Sequence, residues 1–236
     1  MTIQPSILAL DTSTEACSVA LLYRGEKTFQ KLTAQREHTK HILPMVDQIL
    51  AESGIKLADL DALAFGRGPG SFTGVRIGAG IAQGLAFGAN LPVIPVSNLA
   101  AMAQAAYREL GVTEVLAAID ARMNEVYFCA LQGQKVRSEI GEFLQWRELE
   151  AEQVCSPEKL LQKQPHLSGS LVGTGWSAYP ALSVFGEPSD IILPNALDML
   201  DLALPRYLAG ETISALEIEP IYLRNEVTWK KLPGRE

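Results

Sequence analysis

The chain reads as an α/β protein built from two copies of one β-β-β-α-β-α unit. Three observations predict this. The first half orders as three strands, a helix, a strand and a second helix, followed by a further strand and a linking helix. "VLAAIDARMNEVYFCALQGQKVRSEI" (Val115–Ile140) resembles "SILALDTSTEACSVALLYRGEKTFQ" (Ser6–Gln30), with one residue of difference in the first turn. In each copy the first apolar strand ends on an acid, Asp11 or Asp120, and a polar turn leads to a second strand ending in Ala-Leu. Chance produces one hairpin match; a match in element order as well points to duplication.

The elements follow in order. Ser6–Leu10 and Cys17–Tyr23 are apolar runs of strand length, and "RGEK" (Arg24–Lys27) turns into a weaker third strand, Thr28–Leu32. His38–Ser53 is a helix whose Ile42, Val46, Ile49 and Leu50 share one face. Pro44 is read as lying near its start, where a missing N–H costs least. Ala62–Phe65 is a short buried strand, followed by a glycine loop and a glycine-rich helix. Leu91–Val96 is the next strand, and Ser97 caps a helix to Leu110. In the second copy, a turn around Gly133 leads to a third strand and a helix follows at Pro157–Gln164. Leu171–Trp176 gives a strand and turn, and Asn195 caps a last helix, Ala196–Leu208, stopped by Gly210.

Composition excludes several function classes. With 47% apolar and 20% charged residues the chain is an ordinary globular one. "MTIQPSILALDTS" has no basic start and Asp11 interrupts its apolar run, so it reads as a strand and not a signal peptide. No apolar run is long enough to span a bilayer, which predicts a cytoplasmic protein with no membrane partner. Cys17, Cys129 and Cys155 form no CxxC pair and read as buried free thiols. The net charge of −7 is uneven: residues 139–219 hold 13 acids and 4 bases, whereas residues 1–138 balance at 12 of each. An acidic second half repels a nucleic-acid backbone, so any service to RNA goes through a partner. The tail "YLRNEVTWKK" is the small basic exception.

"FGRGPGSFTGVRIGAGIAQGLAFGAN" (Phe65–Asn90) raises the main chemical question. A glycine loop before a helix N-terminus suits an anion. The stretch has no GK[ST], so it is not a P-loop, and no acid follows at the spacing of a dinucleotide site. A tight turn with Gly68 or Gly70 at positive φ explains the loop equally well. Inside the helix, Gly74, Gly78, Gly80, Gly84 and Gly88 together cost about 4–5 kcal/mol against alanine. Such a helix needs close neighbours, and small residues at i, i+4 let another backbone approach. The small residues cover more than one face, which predicts a helix from a partner.

Two copies of this unit, each with an acid ending its first strand, suggest the two-lobed fold of actin, sugar kinases and Hsp70. The lobes would be residues 1–107, carrying the glycine helix and the partner surface, and residues 108–236, acidic with a short basic tail. In that fold the paired hairpins face a nucleotide cleft. The candidate nucleotide positions are Asp11, Ser13, Thr14, Asp120, Gly173 and Gly175. The first turn, "DTSTEAC", has no glycine, which hinders close approach to a phosphate. The alternative is that Asp11 and Asp120 simply end strands and bond to turn N–H groups. ATP or ADP is therefore expected weakly or within a complex, and no cofactor is assigned.

"ALDTSTEACSVAL", "REHTKHILPMV", "GPGSFTGVRIG" and "AIDARMNEVY" carry a resemblance to the TsaB (YeaZ) family, running from the first residues to about Leu131. The resemblance implies a role in forming N6-threonylcarbamoyladenosine at position 37 of tRNAs reading codons that begin with A. It implies a non-catalytic scaffold paired with the paralogous catalytic subunit TsaD, with TsaE joining the complex. TsaD holds its metal on an HxxxH motif in a segment like "GVNHLEGH". The matching segment here is "PVSNLAAMA" (Pro95–Ala103), with Asn98 and Met102 at the histidine positions, so neither a metal nor catalytic residues are expected. His38 and His41, three apart, have no further ligand nearby in sequence and read as a polar helix start. The competing readings are an ATP-dependent phosphotransferase or a metallopeptidase-like enzyme of the same fold, and a homodimeric interaction protein unrelated to RNA. The expected partner surface is the glycine helix with the first helix alongside: Arg76, Ala79, Gly80 and Gly84 with His41, Met45 and Gln48. One seam of this kind serves either a homodimer of the chain alone or a heterodimer with TsaD.

Overall fold

The computed structural model describes residues 5–33, 37–138 and 141–224. The basic tail beyond Arg224 lies outside the described residues. The first five strands are β1 (Ile7–Asp11), β2 (Ala16–Tyr23), β3 (Glu26–Thr33), β4 (Ala62–Gly68) and β5 (Val93–Ser97). They form one sheet in the order β3-β2-β1-β4-β5. β1, β2 and β3 are antiparallel neighbours, and β4 and β5 add on in parallel. The second sheet, β8-β7-β6-β9, repeats the scheme with β6 (Glu114–Arg122), β7 (Glu125–Ser138), β8 (Gly141–Cys155) and β9 (Ser170–Val172). Three antiparallel strands and a parallel addition in each lobe are the duplicated architecture that the sequence predicts.

β1 shows how the first sheet is buried on both sides. All five of its residues are buried, as expected of a central strand covered on both faces. Leu8 and Leu10 join Leu63 and Phe65 under α1 (His38–Ser53) and α2 (Phe72–Ala89). Ile7 and Ala9 face the other way, onto Ala196, Met199, Leu200 and Ala203 of α6 (Ala196–Leu208). Sequence order puts α6 after the second sheet, yet the chain returns it to the first. Its first N–H donates to Ser18 Oγ at 2.9 Å, and Ile213 then pairs with Val93. Between the sheets runs α3 (Asn98–Leu110), whose Leu99, Met102, Ala103 and Ala106 pack on Val115, Ala117 and Cys129. The far face of the second sheet is covered by α4 (Pro157–Lys163) and α5 (Gly175–Ala178), with Leu160 and Trp176 against Phe128 and Ala130.

Local signals decide the helix ends. α1 stops at Gly54, which takes the left-handed conformation at φ +68. Ser97 and Asn195 cap α3 and α6 by accepting from the N–H groups of Ala100 and Asp198. Pro44 is the seventh residue of α1, past the first turn where its missing N–H would be free of cost. The second copy departs from the sequence reading at Gly133. No turn occurs there; β7 continues to Ser138 and pairs with β8, opposing Gly133 to Trp146. A Cβ at Gly133 would lie 2.6 Å from a Leu144 methyl, so this glycine makes room for a cross-strand side chain. All three cysteines are free and buried, as predicted. Among the described residues, no helix is long and apolar enough to cross a membrane.

Candidate functional site

The β1–β2 turn and the start of α2 form one packed unit. Thr12 Oγ1 donates to the Gly74 carbonyl at 2.7 Å, and the Ser71 N–H donates to the Ser13 carbonyl at 2.7 Å. A Cβ at Gly70 would overlap Ser13 O, and one at Gly74 would overlap Thr12 O. Gly78 lies 2.9 Å, from its ideal Cβ position, from Thr12 Oγ1. The first glycines of the stretch therefore seat the helix against its own hairpin. Gly80, Gly84 and Gly88 differ: nothing lies within 4 Å of a Cβ at any of them.

Beneath this unit lies a closed polar network. Asp11 is fully buried. It accepts from Asn98 Nδ2 at 2.8 Å, from Ser13 Oγ at 3.2 Å and from the Ser13 N–H at 3.3 Å. Asn98 Oδ1 accepts from the Gly68 N–H at 2.7 Å. Burial raises the Asp11 carboxyl above its ordinary value, and the Asn98 and Ser13 hydrogen bonds oppose that rise. Gly66 is held to glycine because a Cβ there would run into Asp11 Oδ1.

A cleft of about 1080 Å³ separates the lobes above this network. One wall is Ser13, Thr14, His38, Ser71 and the first α2 residues Phe72–Gly74; the other is Asp120, Arg122, Tyr127, Thr174 and Ala178, with Arg224. Asp120 accepts from Tyr179 Oη and from the Arg122 N–H, each at 2.9 Å, and pairs with the Arg122 guanidinium. Burial and the Asp120 carboxylate together raise the Tyr179 phenol. The β6–β7 turn beside Asp120 places Arg122, Met123 and Asn124 in succession in the left-handed region, at φ 61, 57 and 59. Asn tolerates this region, but Arg122 and Met123 carry strain of about 1–2 kcal/mol each.

The nucleotide candidates divide. Ser13, Thr14 and Asp120 line the cleft; Asp11, Gly173 and Gly175 do not. Asp11 is sealed under the turn, and Gly173 and Gly175 pack on the Ala118 backbone, with Gly173 at φ +100. The hairpin amides are also engaged within the chain. The Ser13 N–H goes to Asp11, the Ala16 N–H to Thr14 Oγ1 and the Arg122 N–H to Asp120. Both acids thus bond to turn N–H groups, as in the alternative the sequence left open, but only Asp11 ends its strand: β6 runs two residues past Asp120, to Arg122. Thr174 and Arg224 are cleft residues that the sequence reading missed. Arg224 sat in the basic tail, and nothing local to it signalled the cleft.

The partner-face candidates also divide. Gln48, Arg76, Gly80 and Gly84 are exposed and His41 is half-buried, on neighbouring helices of one layer. Phe72 and Phe87 of α2 add large exposed aromatic surface at 67% and 68%. Met45 and Ala79 are buried in the core under these helices, which corrects their assignment to an outer face. Met45 follows Ile42 by three positions and precedes Ile49 by four, so it extends the apolar stripe.

The positions matched to the HxxxH motif offer no metal donors. The Asn98 amide is committed on both atoms, and Met102 is fully buried among apolar side chains of α3 and the second sheet. A metal does not fit there. His38 Nε2–H donates to the Thr14 carbonyl at 2.7 Å, and His41 pairs with Glu37. Among the described residues no group of three or more His, Cys, Asp or Glu side chains is placed to hold a metal.

Known proteins resemble this chain over nearly its whole length. A family model described as tRNA N6-adenosine threonylcarbamoyltransferase (TsaD) matches residues 31–217. A Haemophilus influenzae protein named tRNA threonylcarbamoyladenosine biosynthesis protein TsaB is 68% identical over 98% of this chain and 98% of its own length. The Escherichia coli protein of the same name is 52% identical over 98% of this chain and 99% of its own length. A solved Pseudomonas aeruginosa structure, described as similar to peptidase YeaZ, is 42% identical and covers 94% of this chain and 100% of that one, with a TM-score of 0.81.

Proposed function

The chain belongs to the TsaB (YeaZ) family, within the wider TsaD-type family, and from that premise we propose that it is the non-catalytic scaffold subunit of the machinery that forms N6-threonylcarbamoyladenosine in tRNA. TsaD is its direct partner, TsaE joins the complex, and tRNA is met only through the assembly in the cytoplasm. The observation that carries the non-catalytic reading is the chemistry at Asn98 and Met102. The first is locked to Asp11 and Gly68, and the second is enclosed in the core. No cofactor is assigned to the chain alone, a reading supported by hairpin amides already bonded to Asp11 and Asp120.

The partner seam is the outer surface of α2 with α1 beside it. Support comes from Gly80, Gly84 and Gly88, whose open surroundings leave room for a second backbone. Phe72 and Phe87 on the same helix supply apolar contact area. Two helices from each partner make a four-helix seam, and a homodimer and a TsaD heterodimer compete for it. The test is co-purification with TsaD, together with nucleoside analysis of tRNA after depletion of this protein. Loss of the modified nucleoside and capture of TsaD are expected; intact modification with no capture would overturn the reading.

A further inference from the structure

Residues Pro220–Arg224 run from one wall of the cleft to the other. The Ile221 N–H donates to the Arg67 carbonyl at 3.0 Å, on β4 of the first lobe. The Tyr222 ring lies 6.4 Å from that of Phe72 at the start of α2. The Arg76 guanidinium sits 3.2 Å from the Phe72 ring centre and 4.7 Å from that of Tyr222. Two residues on, Arg224 grips the second lobe. Its Nε donates to Glu125 Oε2 at 2.9 Å, and its Nη2 donates to the carbonyls of Ala121 at 3.1 Å and Arg122 at 3.4 Å. Its Nη1 lies 3.6 Å from the Met123 sulfur.

The grip falls on the run of left-handed residues at Arg122–Asn124. A backbone of this kind persists when its surroundings over-determine it. Met123 is 64% exposed, so burial of its side chain does not hold the turn. Within the hairpin, Asp120 fixes the Arg122 N–H and guanidinium. The carbonyls on the opposite side of the peptide units are taken by Arg224, whose rigid fork of donors serves two carbonyls and a carboxylate at once.

We propose that Pro220–Arg224 is a latch between the lobes. Arg224 holds the left-handed β6–β7 turn against the cleft, and its release lets the turn relax and the cleft widen. The latch is a property of this chain alone and does not depend on the scaffold reading.

The full chain tests it by hydrogen exchange and by the distance between spin labels at Thr73→Cys and Ala178→Cys, two exposed positions on opposite cleft walls. In Arg224→Ala, exchange over residues 119–127 should rise about tenfold or more, with α1 unchanged. The label distances should shift longer and broaden. Glu125→Gln should move both readouts the same way and serves if Arg224→Ala fails to fold. Met123→Gly, which removes the left-handed penalty, should lower the exchange of Arg224→Ala back toward wild type. Unchanged exchange would overturn the latch. So would faster exchange at the turn with an unchanged distance distribution, because the segment would then fasten a turn and not the lobes.

Discussion

Asn98 binds Asp11 and the Gly68 amide at once, donating to the first at 2.8 Å and accepting from the second at 2.7 Å. One carboxamide thereby ties the end of β1, the glycine loop and the start of α3. Removing it in Asn98→Ala takes the acceptor from the buried Gly68 N–H and leaves the buried Asp11 with Ser13 alone. The expected loss is about 2–3 kcal/mol, read as a lower urea midpoint. A midpoint within error of wild type would show that the network is replaceable. Metal analysis of the purified protein should also find no stoichiometric zinc or iron; an equivalent that survives chelation contradicts the scaffold reading.

Asp11 gives a pH dependence of defined sign. Its folded carboxyl titrates above the ordinary 3.8, chiefly because burial disfavours the charge. The folded state therefore binds the proton more tightly than the unfolded state. This group's contribution is full below 3.8 and is lost as the pH rises through the raised folded value. Asp11→Asn abolishes that titration while keeping an acceptor for Asn98. Its stability relative to wild type should improve as pH rises across that window, measured by denaturant titration at several pH values. A constant difference would mean that Asp11 does not titrate there.

Arg108 and Asp198 join α3 to α6. Nε donates to Oδ1 at 2.8 Å and Nη2 to Oδ2 at 3.0 Å, and Asp198 is fully buried while Arg108 is partly exposed. The paired carboxylate raises the Arg108 guanidinium further above its already high range. Arg108→Ala leaves the buried acid with Asn195 alone, at a cost of about 1.5–3 kcal/mol, reduced from that of a fully buried pair because the guanidinium is partly exposed. The double change Arg108→Ala with Asp198→Ala should cost less than Arg108→Ala alone, because the uncompensated charge is gone.

Local grammar made much of this fold legible. The stripe Ile42, Val46, Ile49 and Leu50, the caps Ser97 and Asn195, and the terminal Gly54 act within a few residues and can be read there. What escaped is non-local. Gly133 looks like a turn residue, but its role is set by Leu144 on the opposing strand. Nothing near Ala196 announces that α6 returns to the first sheet, because its apolar face would suit either sheet. Asp11 reads as a cleft acid until Asn98, 87 positions away, is seen to close over it. Arg224 reaches Glu125 across 99 positions, beyond the range of any spacing rule.

Charge predicts how the protein meets tRNA. The chain carries net −7, concentrated in residues 139–219, which include α6 on the first sheet, so phosphate contact is opposed on both lobes. The isolated protein should bind tRNA only weakly at physiological salt, and addition of TsaD should create or greatly strengthen binding. Sub-micromolar affinity of the isolated chain, measured by anisotropy at that salt, would refute this division of labour.

The glycines of α2 separate a folding role from a binding role on a single helix. A Cβ at Gly74 overlaps the Thr12 carbonyl oxygen, backbone that cannot swing aside, so Gly74→Ala should cost about 1–3 kcal/mol. Ala79 is 5% exposed beneath the helix, so Ala79→Glu buries a charge and should disrupt folding before it reports on any partner. Gly80 and Gly84 open to solvent, where alanine should stabilise the helix by up to about 1 kcal/mol. Leucine at either position should also fold, but its side chain would occupy the space a partner backbone needs. Gly80→Leu and Gly84→Leu should therefore keep or raise the melting temperature while losing both self-association in sedimentation and capture of TsaD. The joint loss is the informative result, because it is what one shared seam requires. If both leucine variants fold, dimerise and capture TsaD as wild type does, the partner surface lies elsewhere and the open glycines have another cause.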